Sequence, residues 1–370
     1  MSMSQPITLH QPRRVEIGAG KGRLIGEWAA TFDGPVLVIS GKSTARLAGE
    51  LGLGSAAIFD GVLPEPETGV LDAALEMARE VRPAAIVGLG GGSPMDVAKL
   101  VAAMWDGTQT IEDVSGNDKV KGRNTALAQV PTTAGTGSEA GIRALVTNPD
   151  THAKIAVGSA HMIADLAVLD PVLTHSVPPA ITAATGVDAL AHCVEAFTSL
   201  KSHDLVDDFA RRGMALVGRY LARAVADGSD TEARAGMMLA SFYGGVCLGP
   251  VNTAAGHALA YPLGTRLGMA HGLANAIIFP HVLAFNQQAV PEKTAEIATA
   301  LGIPAGTDVL AGAREWCESL GVEMRMSAHG AKAGDLPAWA EEAHAIRRLM
   351  DNNPRDMSAD DVLAIYRAAG

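Results

Sequence analysis

The sequence contains little cysteine, few aromatic residues and less positive than negative charge. Its three cysteines, Cys193, Cys247 and Cys317, show no CxxC spacing, which argues against a disulfide framework and favours a reducing compartment. Lys and Arg total 29 against 40 Asp and Glu, a formal net charge of −11. Nucleic acid is therefore not the expected partner, because phosphate binding needs clustered positive charge.

Long hydrophobic runs are missing as well. No segment reaches the roughly 18 uninterrupted apolar residues of a membrane span, and the first residues lack the apolar core of a secretory signal. No membrane association is therefore expected. Together with the cysteine usage, these absences predict a cytoplasmic protein.

Length and glycine content indicate the fold class. The chain has 370 residues, 41 of them glycine, and is long enough for two domains. Up to about residue 175, apolar runs alternate with helical patterns, which predicts a parallel sheet covered on both faces. After residues 176–186 only long helical patterns follow. We therefore predict an α/β domain with a parallel sheet over residues 1–178 and an all-helical domain over 179–370. The predicted strands are 35–40, 84–90, 126–131 and 166–170.

A glycine-rich loop, VGLGGGSPMDVAK (87–99), follows one predicted strand. We expect the strand to end at Leu89 and a helix to open at Ser93-Pro94, with Ser93 as N-cap and Asp96 completing a capping-box-like pattern. Glycines allow close backbone approach, and amides at a helix start attract anions. The loop is either a pyrophosphate cradle or merely a tight connection.

A second polar loop, VPTTAGTGSEAG (130–141), follows the next predicted strand. Alone it would be read as a solvated linker. Two such loops at the carboxyl ends of strands favour a shared nucleotide crevice. We therefore predict that the α/β domain over residues 1–178 is a Rossmann-like nucleotide-binding domain.

The segment DALAHCVEAF (188–197) places Asp188 and His192 four residues apart, on one face of a predicted helix. His257, His271 and His281 lie downstream. Two of these histidines would complete a set of three nitrogens and one oxygen, which suits Fe(II) or Zn(II) and leaves a position open for substrate. The alternative is a buried Asp–His hydrogen bond in a helical core.

Several motifs together resemble one known family. GGGSPMDVAK, PTTAGTGSE, TGVDALAHCVEAF, GHALAYPLG, AHGLANAIIFPH and DNNPRDMSADDV resemble, in order and over nearly the whole chain, motifs of the iron-dependent (group III) alcohol dehydrogenases. The resemblance implies metal-dependent hydride transfer between NAD(P) and a small alcohol or aldehyde. It implies Fe(II), although Zn(II) would bind the same donors well. The ligands it implies are Asp188, His192, His257 and His271, with His281 structural.

The resemblance also implies cofactor contacts and a homodimer. The segment RRVEIG (13–18) would pair across a two-fold axis in such a dimer. Leu173 would touch the nicotinamide side. The residues implied at the pyrophosphate and the remainder of the cofactor are Gly91, Gly92, Ser93, Thr132, Thr133, Thr136 and Lys154.

Two departures from the family pattern concern proton transfer and cofactor choice. Tyr261 occupies a position where many relatives have a histidine; it either relays a proton or only shapes the pocket, since phenols are weak bases near neutrality. Gly41 stands where NAD-preferring relatives usually carry an aspartate, with Lys42 and Ser43 beside it. The missing carboxylate favours NADPH or relaxed cofactor choice, unless these residues form only a helix-start turn.

A third departure concerns the substrate. Arg143 occupies a substrate-facing position where relatives often have asparagine, and a guanidinium there would favour an anionic substrate tail. Maleylacetate reductases and dehydroquinate synthase-like lyases are the rival families. A catalytically inactive nucleotide-binding protein is disfavoured because all four implied ligand positions are filled.

Overall fold

The computed structural model describes residues 6–151 and 153–370. The chain divides into two units: Leu9–Val177 forms one, and Pro178–Gly370, with the described residues before Leu9, forms the other. The first unit is α/β and the second is helical, so the predicted fold class is confirmed.

Two sheets form the framework of the α/β unit. The larger contains six strands in the order β1-β9-β6-β4-β2-β3, all parallel, and the smaller has the order β5-β8-β7. The strands are β1 (Arg14–Ile17), β2 (Val36–Ser40), β3 (Ala57–Phe59), β4 (Ala85–Gly90), β5 (Gly116–Asn117), β6 (Ala126–Pro131), β7 (Arg143–Thr147), β8 (Lys154–Gly158) and β9 (Leu166–Leu169). The helices are α1 (Leu24–Ala29), α2 (Lys42–Ala45), α3 (Leu47–Glu50), α4 (Thr68–Val81), α5 (Gly92–Met104) and α6 (Ile111–Val114).

The four apolar runs that were predicted to be strands form β2, β4, β6 and β9 in the structure. Strand β4 is buried along its whole length, as expected for a strand covered on both faces. Strand β2 pairs with β3 on one side and with β4 on the other, so the chain reverses its direction of winding there. In such sheets, ligands bind outside the carboxyl ends of the strands at the point of reversal. At that edge Ser40 Oγ donates a 2.8 Å hydrogen bond to the Leu89 carbonyl oxygen.

The second unit contains only helices among its described residues. They are α7 (Pro179–Thr198), α8 (Asp204–Ala226), α9 (Thr231–Leu248), α10 (Ala255–Leu267), α11 (His271–Asn286), α12 (Pro291–Ala300), α13 (Val309–Ser319), α14 (Leu336–His344), α15 (Arg347–Met350) and α16 (Ala359–Ala368). Within the described residues, none of these helices has the length and apolarity that a membrane crossing requires.

Helix α7 is the central helix of this unit. It begins with Pro179 at its first position, where proline fits without losing a hydrogen bond. Most of its residues are buried, and it packs against α8, α9 and α11. A helix that is apolar on nearly all sides belongs in a core. The polar residues on α7 are therefore held in a rigid, enclosed setting.

Candidate functional site

Four side chains converge in the helical unit. Asp188 and His192 lie one turn apart on α7, His257 lies in the first turn of α10, and His271 opens α11. One potential ligand atom from each lies within 4.8 Å of the other three. The Nε2 atoms of His192, His257 and His271 lie 3.9, 3.5 and 3.7 Å from Asp188 Oδ1. The imidazoles therefore surround a single carboxylate oxygen.

Burial and charge act together in this cluster. Asp188, His192 and His257 are buried, whereas the His271 side chain is 24% exposed. Burial lowers the pKa of His192 to about 4, so its imidazole is neutral near pH 7. Burial would also lower the pKa of His257, but the carboxylates of Glu195 and Asp188 outweigh it and raise that pKa to about 10. Burial opposes ionisation of Asp188 as well, yet the three histidines hold its pKa well below the usual range.

The donor set fits a divalent transition metal. Three imidazoles and one carboxylate form a mixed nitrogen–oxygen set that suits Fe(II) or Zn(II). His257 Nε2 is buried and has no hydrogen-bond partner among the described residues. Asn275 Nδ2 donates to Asp188 Oδ1 at 2.8 Å and lies 3.2 Å from His271 Nε2. His281 is buried and lies outside the cluster, and burial lowers its pKa to about 4.

The two polar loops of the α/β unit touch each other. The Thr132 amide donates to the Gly90 carbonyl oxygen at 2.9 Å. A Cβ atom added at Gly92 would lie 2.7 Å from Thr136 Cγ2, and one at Gly91 would lie 3.3 Å from Thr133 Oγ1. Glycine at position 92 is therefore required for the loops to approach this closely.

The predicted helix start after the first loop was wrong by about two residues. Helix α5 begins at Gly92 with Gly91 as its N-cap, so Ser93 lies inside the first turn and makes no cap. Asp96 does not complete a capping box. It accepts hydrogen bonds from Ser138 Oγ at 2.5 Å and from the Leu145 amide at 3.0 Å. A tertiary contact with the second loop replaces the local cap.

Sequence reasoning missed a buried polar network around Asp96. Lys99 Nζ donates to Ser138 Oγ and to the Arg143 carbonyl oxygen, both at 2.7 Å, and lies 3.6 Å from Asp96 Oδ1. Glu139 lies nearby and is 1% exposed, and burial raises its pKa to about 7. Asp96 and Lys99 stand in the first quoted motif, and Ser138 and Glu139 stand in the second. The three-residue spacing of Asp96 and Lys99, which places both side chains on one face of a helix, is the feature of the sequence that could have predicted this network.

The other predicted cofactor residues occupy varied positions in the α/β unit. Gly41 is the N-cap of the single-turn helix α2, and Lys42 and Ser43 are exposed at its start. The helix-start turn considered as an alternative is therefore present. Lys154 pairs with Glu65 and donates to Thr147 Oγ1 at 2.7 Å. Leu173 is partly buried and packs on an apolar cluster that includes residues of β2, β4, β6 and β9.

Arg143 and Tyr261 belong to different units. Arg143 opens β7 opposite Gly158 of β8, and it is partly exposed. Tyr261 lies on α10, one turn after His257, with its ring centroid 6.1 Å from that of His271. The Arg348 guanidinium carbon lies 5.7 Å from the same tyrosine ring centroid.

Two family models match the chain. "Iron-containing alcohol dehydrogenase" matches residues 12–171, and "Fe-containing alcohol dehydrogenase family, C-terminal" matches residues 182–370. The sequence is 33% identical over 329 residues to long-chain-alcohol dehydrogenase 1 of Geobacillus thermodenitrificans, covering 85% of this chain and 82% of that protein.

Solved structures show the same likeness. A 1,3-propanediol oxidoreductase superposes with a TM-score of 0.91 at 31% identity, covering 99% of this chain and 100% of that one. A sulfoacetaldehyde reductase from Bifidobacterium kashiwanohense, in complex with NAD+, gives a TM-score of 0.87 at 27% identity over 99% of each chain. With both family models matched and the aspartate and three histidines gathered in one cluster, this chain belongs to the iron-containing alcohol dehydrogenase family of oxidoreductases.

Proposed function

We propose that Asp188, His192, His257 and His271 hold the catalytic metal of an NAD(P)H-linked alcohol dehydrogenase or aldehyde reductase. The observation that carries this proposal is the convergence of one carboxylate and three imidazoles at a mostly buried point. In this proposal residues 1–178 form the domain that binds the dinucleotide and residues 179–370 form the domain that binds metal and substrate.

Fe(II) is the proposed native metal, and Zn(II) is its strongest competitor for these donors. When bound, the metal supplies a Lewis acid that polarises the alcohol or carbonyl oxygen during hydride transfer. The neutral imidazole of His192 is ready to coordinate, and Asp188 supplies the negative charge. Asn275 holds the Asp188 carboxylate in place through its 2.8 Å hydrogen bond.

We propose that the cofactor pyrophosphate lies against the first loop. The support is the amino-terminal end of α5 at that loop, together with the contact between the two glycine-rich loops. The proposed contacts are Gly91, Gly92, Ser93, Thr132, Thr133 and Thr136, with Leu173 on the nicotinamide side. Lys154 is proposed to contact the cofactor while its charge is balanced by Glu65.

Cofactor choice is proposed to favour NADPH or to be relaxed. Gly41 places no carboxylate at the carboxyl end of β2, and Lys42 and Ser43 are exposed next to it. An ammonium group and a hydroxyl group are both suited to bind a 2′-phosphate.

The proposed substrate is a small alcohol or aldehyde with an anionic tail. Arg143 supports this choice because a guanidinium binds carboxylate, sulfonate or phosphonate groups in a bidentate manner. One structural relative is named as a reductase of sulfoacetaldehyde, an anionic aldehyde.

Three further features complete the proposal. Tyr261, near His271, relays a proton or shapes the pocket.

The exposed edge of β1, which pairs only with β9 among the described strands, supports a homodimer in which β1 pairs with β1 of the second copy. The three cysteines are free and buried, which supports a cytoplasmic location.

The test uses anaerobic, metal-stripped protein. Fe(II), Zn(II), Mn(II) or no metal is added back, and nicotinamide absorbance is followed with NADPH or NADH and neutral or anionic aldehydes. We expect oxidation only with metal, and faster turnover with NADPH and anionic aldehydes. The His271→Ala variant should lose bound metal and activity together, whereas His281→Gln should keep both. Turnover without metal, or full metal content in the His271→Ala variant, would contradict the assignment.

A further inference from the structure

Glu195 lies next to the metal cluster without belonging to it. It follows His192 by three residues on α7 and is buried. Its carboxylate accepts hydrogen bonds from the Ala254 amide, from the His257 amide at 3.1 Å, and from His257 Nδ1 at 2.9 Å. Helix α10 has no side-chain cap of its own at Ala254. Glu195 therefore satisfies amides at the start of α10 that would otherwise have no partner.

The contact with Glu195 determines which nitrogen of His257 carries the proton. Three N–H donors converge on the two oxygens of Glu195, an arrangement that suits an ionised carboxylate, which can only accept. The Nδ1 atom of His257 is then the donor, and when a metal displaces the second ring proton, the lone pair becomes available at Nε2. That Nε2 atom is the one that lies 3.5 Å from Asp188 Oδ1. The tautomer that Glu195 selects is the tautomer that metal coordination requires.

The neighbouring glycine is explained by the same contact. A Cβ atom added at Gly256 would lie 2.3 Å from Glu195 Oε1 and 3.2 Å from its Cδ. Any side chain at position 256 would therefore push the carboxylate away from His257. The glycine that precedes the histidine in GHALAYPLG leaves room for an acidic group from another helix.

The other two imidazoles lack such a partner. His192 Nδ1 is buried with no hydrogen-bond partner among the described residues. The hydrogen-bond partner described for His271 is the side-chain amide of Asn275, at the Nε2 atom. Within the part of the chain that the structure describes, His257 is the one histidine of the cluster with a carboxylate on its Nδ1 atom.

We propose that Glu195 is a positioning residue that fixes His257 as the Nδ1–H tautomer, with Gly256 providing the space, and thereby sets the affinity of the site for its metal. This inference rests on the proposed metal site. Outer-sphere partners of ligating histidines typically change metal affinity by about 10–100-fold.

The experiment compares Glu195→Gln and Gly256→Ala with the wild-type protein. Metal affinity is measured by competition with a chelator, starting from metal-stripped protein, and circular dichroism monitors folding. Both variants should bind Zn(II) and Fe(II) about 10–100-fold more weakly. Alanine normally stabilises a helix relative to glycine. Weaker metal binding by Gly256→Ala would therefore come from displacement of the Glu195 carboxylate and not from a weakened helix.

Thr198→Val is the matched control. Thr198 lies one turn further along α7 and is buried, and its hydroxyl donates to the Val194 carbonyl oxygen at 2.8 Å. This variant should bind metal as tightly as the wild type. In the metal-loaded wild-type protein, NMR should show a protected His257 Nδ1 proton, which does not depend on any variant folding.

The outcomes separate the two proposals. A wild-type protein that binds no metal would overturn the proposed metal site itself. Tight wild-type binding that is unchanged in Glu195→Gln and Gly256→Ala would overturn the role of Glu195 and leave the metal site standing. An unprotected Nδ1 proton in the metal-loaded wild type would overturn that role as well.

Discussion

Lys99 Nζ lies 2.7 Å from Ser138 Oγ and so joins the helix of the first glycine-rich loop to the end of the second. The Lys99 side chain is 1% exposed, and burial lowers its pKa against the opposing effect of Asp96. A buried charge of this kind persists only when its partners are present. The contact between the loops therefore depends on a charged network as well as on the small size of Gly92.

The first prediction concerns Lys99→Met. We expect the free energy of unfolding to fall by about 3 kcal/mol, because Asp96, whose side chain is 14% exposed, then keeps a largely buried charge without its partner. The Asp96→Asn/Lys99→Met double variant should recover part of this loss. Denaturant unfolding measures both effects, with Lys332→Met at an exposed lysine as the control. Equal stability of Lys99→Met and wild type would show that the network contributes nothing.

The second prediction concerns cofactor choice at Gly41. The backbone there is extended, with φ −98°, so other residues can adopt it, although a Cβ atom would lie 3.0 Å from the Val62 carbonyl oxygen. Gly41→Ala introduces this crowding alone, and Gly41→Asp adds a carboxylate. We expect Gly41→Asp to bind NADPH about tenfold more weakly than Gly41→Ala does, through repulsion of the 2′-phosphate, a change of about 1.4 kcal/mol. Titration of nicotinamide fluorescence measures the affinities, and equal NADPH affinities in the two variants would refute the proposal.

The third prediction concerns Arg143. Arg143→Ala should raise KM for anionic aldehydes by about tenfold or more, because a charge-assisted bidentate contact is lost, and should leave KM for neutral aldehydes unchanged. Arg143→Lys keeps the charge without the planar fork and should fall between the two. Steady-state kinetics on matched aldehyde pairs provides the measurement. A similar increase in KM for neutral aldehydes would show that Arg143 supports the structure of the site and does not bind the anionic group of the substrate.

The fourth prediction separates the two roles of Tyr261. If its hydroxyl relays a proton, Tyr261→Phe should lower kcat by about 10²-fold or more and leave metal affinity unchanged. If the ring only shapes the pocket, kcat should stay near the wild-type value while KM shifts with substrate size. The kcat and KM values of one variant, measured with two aldehydes of different length, distinguish these roles.

Features set by local pattern could be read from the sequence. The continuous apolar runs that became β2, β4, β6 and β9 predicted the parallel sheet, and the four-residue spacing of Asp188 and His192 predicted their shared helix face. Strand β3, with three residues, and the partly buried strands β7 and β8 were missed because short, weakly alternating segments carry little signal.

Features set by tertiary contact could not be read in this way. Asp96 matches a local capping pattern, but its carboxylate binds the distant segment 138–145. Glu195 stands in the same ten-residue segment as the first two proposed ligands, yet its partners are more than 50 residues away in the sequence. A spacing rule identifies which residues share a face, and only the packed structure identifies what that face meets.

The fifth prediction follows from the buried carboxyl group of Glu139. Neither of its carboxylate oxygens has a hydrogen-bond partner in another residue that the structure describes, and burial raises its pKa from 4.5 to about 7. Between these values the folded protein binds more protons than the unfolded chain, so stability decreases as pH rises. The contribution is fully present below about pH 4.5 and is lost as pH passes about 7.

The test of this prediction is Glu139→Gln, whose side chain does not titrate. Relative to wild type, its free energy of unfolding should rise with pH, by up to roughly 3 kcal/mol between pH 4.5 and pH 8. Denaturant unfolding at the two pH values gives the difference. Glu341→Gln, at an exposed carboxylate on α14, is the control for the loss of one negative charge. If the difference between Glu139→Gln and wild type is the same at both pH values, the pKa of Glu139 is the same in the folded and unfolded states, and the charge of Lys99 must then offset the effect of burial.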